Sequence, residues 1–505
     1  MVEKSETRNR SGWFYVLIAL TLLAAVFFFS SRERLVDPDE GAYLLAAKLV
    51  MEGQSLYTDF FWPQMPLLPY AYGAWMKIFG MNWYSARALS GFLGVLMGLL
   101  LFLHVRNLTG KQSWALLAVI LFAASSFSIG WFATTKTYAL STFLLFAAYL
   151  SLYADRWKDW KYLLAGVFLG LAISTRLYFV GLVPVFFYLI YRDGKKLPPL
   201  WKHITGLLLG LAPSSYFLLK NPDNFYFNNI GYHFLRSDFD FAGSLTQKIQ
   251  SIPRLLGWGL TEGFIGLQFA LLLLAGAYLL YISIRAGQKL PSLLVVTFVL
   301  PFMLFIPTPT HIQYFSSMIP FLIIALILLA SKLMQSPGRW RTLSIIALTA
   351  YVLAWPFDYH RYTALGTAVP GVGGGRENAI NWKIETLESV ARTLDSNIET
   401  EGEPVLAFWP GYLLSSKAAV LPKIENHSGV VISSRLHDAQ REKYRILSVT
   451  ELADAIAARK TRLIIFEIWI REPLRSQLLE LMRQSGYERI LQIGDREIYK
   501  WNGKT

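Results

Sequence analysis

The chain has 505 residues, of which 54% are hydrophobic, 15% aromatic and only 16% charged, well below the roughly 25% charged of soluble domains. Several apolar runs, each near the roughly 20 residues that span a bilayer, exclude a soluble protein and a lone signal peptide or anchor. The basic residues behind the net charge of +14 gather in short loops between those runs, the positive-inside pattern, so no nucleic-acid partner is expected. With no cysteine, disulfides, Cys-ligated zinc and thiol catalysis are excluded.

Residues 1–12 read as a cytoplasmic N-terminus and Trp13 to Ser30 as the first span; the "SRERL" that follows is not a small-residue cleavage site. Further spans are expected at 85–104, 113–130, 138–154, 162–175, 177–191, 204–219, 263–284, 290–306, 312–331 and 342–357, about eleven in all. With that orientation the inside loops, such as "DRWKDWK" and "RDGKKLPPLWK", are short and rich in Lys and Arg. The stretch 162–191 is interrupted only by Arg176. One tilted helix there would invert every later loop against the charge rule, so two short helices are expected, with Arg176 recessed and facing protein or a wet cavity.

Three segments then lie outside: 31–84, 220–262 and everything after Asp358. In the first, "AYLLAAKLV" and "FFWPQMPLLPYAYGAWM" are too short and proline-broken to span and suit interfacial helices. A membrane domain over 13–357 gives way to a linker, 358–380, containing "PGVGGGREN". The remainder, 381–505, alternates helical patterns (381–396, 450–459, 473–484) with strand-like runs ("VLAFW", "RLIIFEIWI", "RILQIG", "EIYKW"), the pattern of a small α/β domain. The fold class is therefore a mainly α membrane protein, a multi-span helical bundle with a C-terminal extracytoplasmic α/β domain. Residues of chemical interest concentrate on the outer face.

"DPDEG" sets Asp37, Asp39 and Glu40 together directly after the first span. Acidic residues there cap the next helix, with Asp39 at the N-cap and Glu40 in the first turn. Three close carboxylates also repel one another, which suits a base or a cation site. A divalent cation, if one takes part, would sit on Asp37 and Asp39. Lys136, Arg176, Arg236 and His311 lie near span ends on a face otherwise poor in cations. Singly each is an interfacial anchor; together, opposite carboxylates, they suit an anionic lipid phosphate whose ester bond is being broken. A second D-x-D, in "SDFDF", is a common chance pattern. No metalloprotease, P-loop or nucleophile-elbow motif has a supporting context, and no internal repeat of the transporter kind is found.

The segment "DPDEGAYLLAAKLVMEGQSLYTDFFWPQMPLLPYAYGAWMKIFG" resembles the first external loop of the GT-C superfamily of polytopic glycosyltransferases, especially the protein mannosyltransferase and aminoarabinose transferase branch, glycosyltransferase family 39. The likeness rests on Asp39, Glu40, Gly53, Tyr57, Pro66 and "IFG", and continues through Arg87 in "SARALSGFLGVL", "LGLAISTRLYFVGLVP" and "HIQYFSSMIPFL". It departs at "WPQMPLL", where the family often has a Lys or His before paired prolines, and at "TTKTYALS", which lacks an acidic residue found in many members.

The resemblance implies a GT-C bundle that transfers a sugar from a polyprenyl-phosphate donor lipid to an extracytoplasmic acceptor, whether protein, lipid or polysaccharide; no cofactor is expected other than the divalent cation that Asp37 and Asp39 could hold. Within that reading Asp39 is expected as the base on an acceptor hydroxyl, Glu40 as orienting it or binding the sugar, and Lys136, Arg176, His311 and Arg236 as the cations on the donor phosphate. Tyr43, Tyr57, Arg87 and Tyr314 are expected around the substrate. The competing class is a polytopic transporter or lipid flippase, in which intramembrane charges line a path.

Overall fold

The structure, a computed structural model, describes residues 3–154, 157–158, 160–194, 197–237, 239–260, 263–335, 338–364, 379–467 and 472–503. Asp238 of the second D-x-D and the glycine-rich part of the linker lie outside the described residues. Two compact units emerge: one from residues up to Arg34, Arg87–Pro213 and Phe239–Thr363, the other from Leu35–Ala86, Ser214–Asp238 and Ala364–Thr505. The second gathers most of the three segments that the charge rule assigns to one side.

The first unit is a helical bundle of a membrane protein. Among the described residues five helices are long and apolar enough to cross a bilayer: Trp13–Glu33, Trp83–Thr109, Ile265–Arg285, Ile312–Leu333 and Arg339–Ala364. Shorter apolar helices run over Gln112–Ala123, Thr137–Ser151, Trp160–Thr175, Leu177–Arg192 and Ser292–Leu304. With Leu197–Lys220, each segment read as a span contains a helix. At Arg176 the backbone is extended (φ −145°, ψ 109°), so the 162–191 stretch is broken there as the charge rule requires. The helix Trp160–Thr175 meets Leu197–Lys220 through Gly166 and Gly170 on one side and Gly206 and Gly210 on the other; a Cβ at any of them would strike the facing backbone. Small residues four apart are what lets two membrane helices approach this closely.

The second unit carries a five-stranded sheet. β1 (Pro404–Ala407) is parallel to β2 (Ala419–Val420) and to β3 (Leu463–Glu467), while β5 (Arg496–Trp501) runs antiparallel to both β3 and β4 (Tyr487–Ile493), giving the order β2-β1-β3-β5-β4. Leu406, Ile456, Ile464, Phe466, Leu478 and Met482 form its core with helices Val449–Ala457 and Leu474–Gln484. Ser448 and Glu451 close a capping box at the start of the former helix. A separate cluster joins all three chain segments of this unit: Phe61 from the first, Phe227 and Tyr232 from the second, and Ile432, Leu436 and Ile446 from the third. The ring of Phe227 lies flat on Tyr444, 3.5 Å between centroids.

Candidate functional site

The carboxylates belong to the second unit and their geometry follows from a helix start. Pro38 opens the helix Pro38–Met51, and the preceding Asp37 is therefore its N-cap. The Asp37 carboxylate accepts the Asp39 amide hydrogen at 3.0 Å, and Glu40 reaches back to accept the Asp37 amide hydrogen at 2.8 Å. This capping box moves the N-cap from Asp39 to Asp37. Glu40 and Asp37 are fully buried, whereas Asp39, the second helical residue, stays half-exposed on the positive end of the helix. Asp39 is thus the most accessible of the three carboxylates, while its neighbours hold the turn. Among the described residues no group of three or more Asp, Glu, His or Cys forms a metal-ligand set.

Tyr232 stands within the electrostatic reach of Asp39. Burial pushes its hydroxyl above the usual phenol range; the Arg236 charge and hydrogen bonds with Ser428 and Arg236 pull it back, and the Asp39 charge adds to the rise. Arg236, half-buried one turn beyond Tyr232, thus acts on the same hydroxyl as Asp39 and with the opposite sign. The helix itself is fixed by the tail. Trp409 Nε1 donates to the Pro38 carbonyl at 2.7 Å, and its indole stacks on Trp83 at 5.9 Å. Gly41 passes so close that a Cβ would lie 2.6 Å from the indole and 2.7 Å from Gly411 Cα. Lys48 Nζ donates to the carbonyls of Leu413 and Ser416 at 2.9 and 2.7 Å, and burial holds its pKa below the usual lysine value.

In the first unit the cations alternate with aromatic rings. Arg176, buried where its two helices break, lies 4.4 Å from the Tyr138 ring, 5.3 Å from Tyr314 and 5.5 Å from Tyr178, and its Nε donates to Thr137 Oγ1. Lys136, 2% exposed, lies 5.4 Å from Trp131 and 5.8 Å from Tyr138. Arg34, 1% exposed, takes Trp131 at 5.0 Å and Tyr362 at 5.2 Å. His311 meets Tyr314 edge-on at 5.6 Å. Burying a guanidinium or ammonium is costly without partners, and a desolvated cation–π contact returns about 2 kcal/mol. Cationic donors gathered this closely suit an anion such as a phosphate.

The structure thus brings Lys136, Arg176, His311 and Tyr314 together in the first unit, and Asp37, Asp39, Glu40, Tyr43 and Arg236 in the second. Tyr57 and Arg87, also expected around the substrate, are buried. Tyr57 is buried, with φ at +68°, its hydroxyl donating to the Gln64 carbonyl and its ring edge-on to Phe217 and Phe225. Arg87 Nη1 donates to the carbonyls of Ser31 and Arg34 at 3.2 and 2.5 Å, closing the end of the first helix. Tyr43 rests edge-on against Trp62 at 5.4 Å. Asp240 of the second D-x-D is the N-cap of helix Phe241–Leu255, accepting the Gly243 amide hydrogen at 2.6 Å. Arg34 and Trp131 were not singled out by the sequence, because "SRERL" reads as the flank of a span. Trp409 was missed too; only the break from strand to "WPG" marks it.

Residues 63–219 match the family described as dolichyl-phosphate-mannose-protein mannosyltransferase. An uncharacterized protein of Aquifex aeolicus (strain VF5) is 26% identical over 219 residues, 41% of this chain and 43% of that protein, so the match spans less than half of the relative's length. In three dimensions the chain is similar to ArnT from Cupriavidus metallidurans in the apo state, at a TM-score of 0.63 and 12% identity, covering 97% of this chain and 98% of that one. The crystal structure of the same ArnT bound to undecaprenyl phosphate gives 0.63 and 14%, covering 98% and 99%. The chain is therefore a membrane protein of the GT-C fold, ArnT-like over nearly its whole length, with a match to the dolichyl-phosphate-mannose-protein mannosyltransferase family over residues 63–219.

Proposed function

We propose that the protein is a GT-C glycosyltransferase that moves a sugar from a polyprenyl-phosphate donor to an extracytoplasmic acceptor. The observation that carries this reading is the cluster of Arg34, Lys136 and Arg176, cations buried among rings in a membrane bundle. Such a set of donors matches the charge and geometry of a phosphate. The likeness to an ArnT structure holding undecaprenyl phosphate supports a lipid phosphate as that anion.

In this mechanism Asp39 takes the proton from an acceptor hydroxyl as that oxygen attacks the anomeric carbon. Attack opposite the departing phosphate inverts that carbon. The bond from carbon to phosphate oxygen breaks, and the charge gathering on that oxygen is met by Lys136, Arg176 and His311. Glu40 and Asp37 act through the capping box, holding the turn from which Asp39 projects. Tyr232, on which the charges of both Asp39 and Arg236 act, supplies a hydroxyl to the same region. The N-terminus is cytoplasmic, and the carboxylates and the α/β domain face outward.

Asp39→Asn keeps the helix start, because Asp37 is the cap, and removes the base. In membranes supplied with synthetic polyprenyl-phosphate sugars, release of the free lipid phosphate should fall about 10²–10⁴-fold, the range of general-base contributions. Near-normal release from a folded variant would overturn the assignment of Asp39. Sugar-lipid translocation without bond cleavage would favour a flippase instead.

A further inference from the structure

We infer that the helix Phe241–Leu255 lies in the plane of the membrane interface with lipid as its partner, and that it anchors the segment preceding His311. Around this helix the side chains divide into three sectors. At 100° per residue, Ser251 and Leu255 point inward and are buried. Phe241, Leu245, Ile249 and Ile252 form a second sector, each at least 41% exposed although apolar, and Leu256 extends it beyond the last turn. Thr246, Gln250 and Arg254, spaced four apart, form an exposed polar third sector.

A helix on a soluble surface has two sectors, one packed and one wet. A third that is apolar and uncovered requires another apolar phase, and the chain's own position supplies one. Gly257, with φ at +80°, turns the chain directly onto the first turn of the span Ile265–Arg285; a Cβ there would lie 2.7 Å from the Leu267 nitrogen. The apolar sector is therefore continuous in the chain with a span that also exposes Leu267 and Leu274. Trp258, 80% exposed at the turn between them, is the residue type enriched at the membrane boundary. Lipid is the occupant that fits a stripe of this kind beside a span.

The inward edge of the same helix grips one short segment. Gln247 exchanges two hydrogen bonds with the Thr310 backbone, donating to its carbonyl at 2.9 Å and accepting from its amide at 2.8 Å. Lys248 Nζ donates to the Pro307 carbonyl at 3.1 Å and to Thr308 Oγ1 at 2.7 Å. The next residue is His311, whose ring abuts Tyr314, itself against Arg176. The bilayer thus fixes the position of the His311 segment through this helix.

The cysteine-free chain makes the test direct. Single cysteines placed along 241–254, including Ile249→Cys and Gln250→Cys, are spin-labelled in the full chain reconstituted in lipid nanodiscs. Accessibility to oxygen and to a water-soluble nickel complex is then measured. The expected result is oxygen accessibility peaking at 241, 245, 249 and 252, and nickel accessibility peaking at 246, 250 and 254, with the ratio reversing several-fold between Ile249 and Gln250. Nickel access on both sectors would place the helix in water and overturn the inference. Exclusion of both reagents at Ile249 would mean a protein cover and overturn it equally. The whole periodic scan decides, so one variant that fails to fold does not block it.

Discussion

Replacing Gly170 with alanine probes the helix crossing that leads to Arg176. An added Cβ would stand 2.5 Å from the Leu207 carbonyl oxygen and 2.8 Å from both Gly210 Cα and its carbonyl carbon, where ordinary contacts begin at 3.4 Å. All three neighbours are backbone and cannot rotate aside, so the two helices must part locally by about 0.9 Å, the difference between 3.4 and 2.5 Å. That separation also stretches the Ser174 hydroxyl bond to the Gly210 carbonyl, now 3.1 Å. Overpacking of this kind costs about 1–3 kcal/mol. Because Arg176 follows the end of this helix by one residue, the same movement displaces its guanidinium from the tyrosine rings, so donor use falls along with stability. The assay is thermal unfolding in detergent alongside sugar-lipid turnover. Gly276→Ala is the control, since its Cβ would meet only the Leu322 side chain at 3.3 Å and other side-chain atoms. Equal melting of the two variants would refute the claim that backbone contact at the glycine crossing sets the helix separation.

Three further outcomes are expected. Arg176→Ala should raise the donor KM by roughly 10–100-fold, the equivalent of about 1.5–3 kcal/mol for a hydrogen bond to a charged group, with a smaller effect on acceptor use; an unchanged donor KM would return Arg176 to an anchoring role. Glu425 is buried in the second unit, and burial raises its carboxyl to about 7 against hydrogen bonds and charges from Lys423 and Arg445 that lower it. Its folded pKa lies above the unfolded value of 4.5, so stability is full below pH 4.5 and declines until about pH 7. Glu425→Gln should therefore melt higher than the parent at pH 8, by up to about 3 kcal/mol from a shift of roughly 2.5 units, and no differently at pH 4. Trp409→Ala should cost about 3–5 kcal/mol and lower turnover as well, because the indole holds the Pro38 carbonyl; a stable, fully active variant would separate the tail from the site.

Hydropathy and charge made the bundle legible, including the break at Arg176, because bilayer thickness and loop charge act on composition alone. The strands β1, β3, β4 and β5 were legible from their apolar runs, whereas β2 was not, since two residues carry no periodicity. At the site, Asp37-Pro-Asp-Glu40 spells a capping box, but the N-cap was first placed at Asp39; proline's preference for the first helical position decides the register. The contacts of Tyr57 and Arg87 could not be read, because Gln64, Phe217 and the carbonyls of Ser31 and Arg34 become their partners only on folding. Trp409 shows the same difficulty at its largest, 371 residues from the carbonyl it holds.

That separation has a bearing on how the protein is made. The unit containing Asp39 is assembled from three stretches divided by most of the bundle. Its ties run between the chain's extremes, as in Lys48 to Leu413 and Ser416. During synthesis the helix Pro38–Met51 emerges early and waits without Trp409 until every hydrophobic helix has been delivered to the membrane. Pairing across such distances is slow, and it leaves apolar faces open meanwhile. The turn presenting Asp39 is consequently among the last parts to be locked in place, so a chain interrupted before its tail would hold its spans yet lack an ordered Asp39 turn.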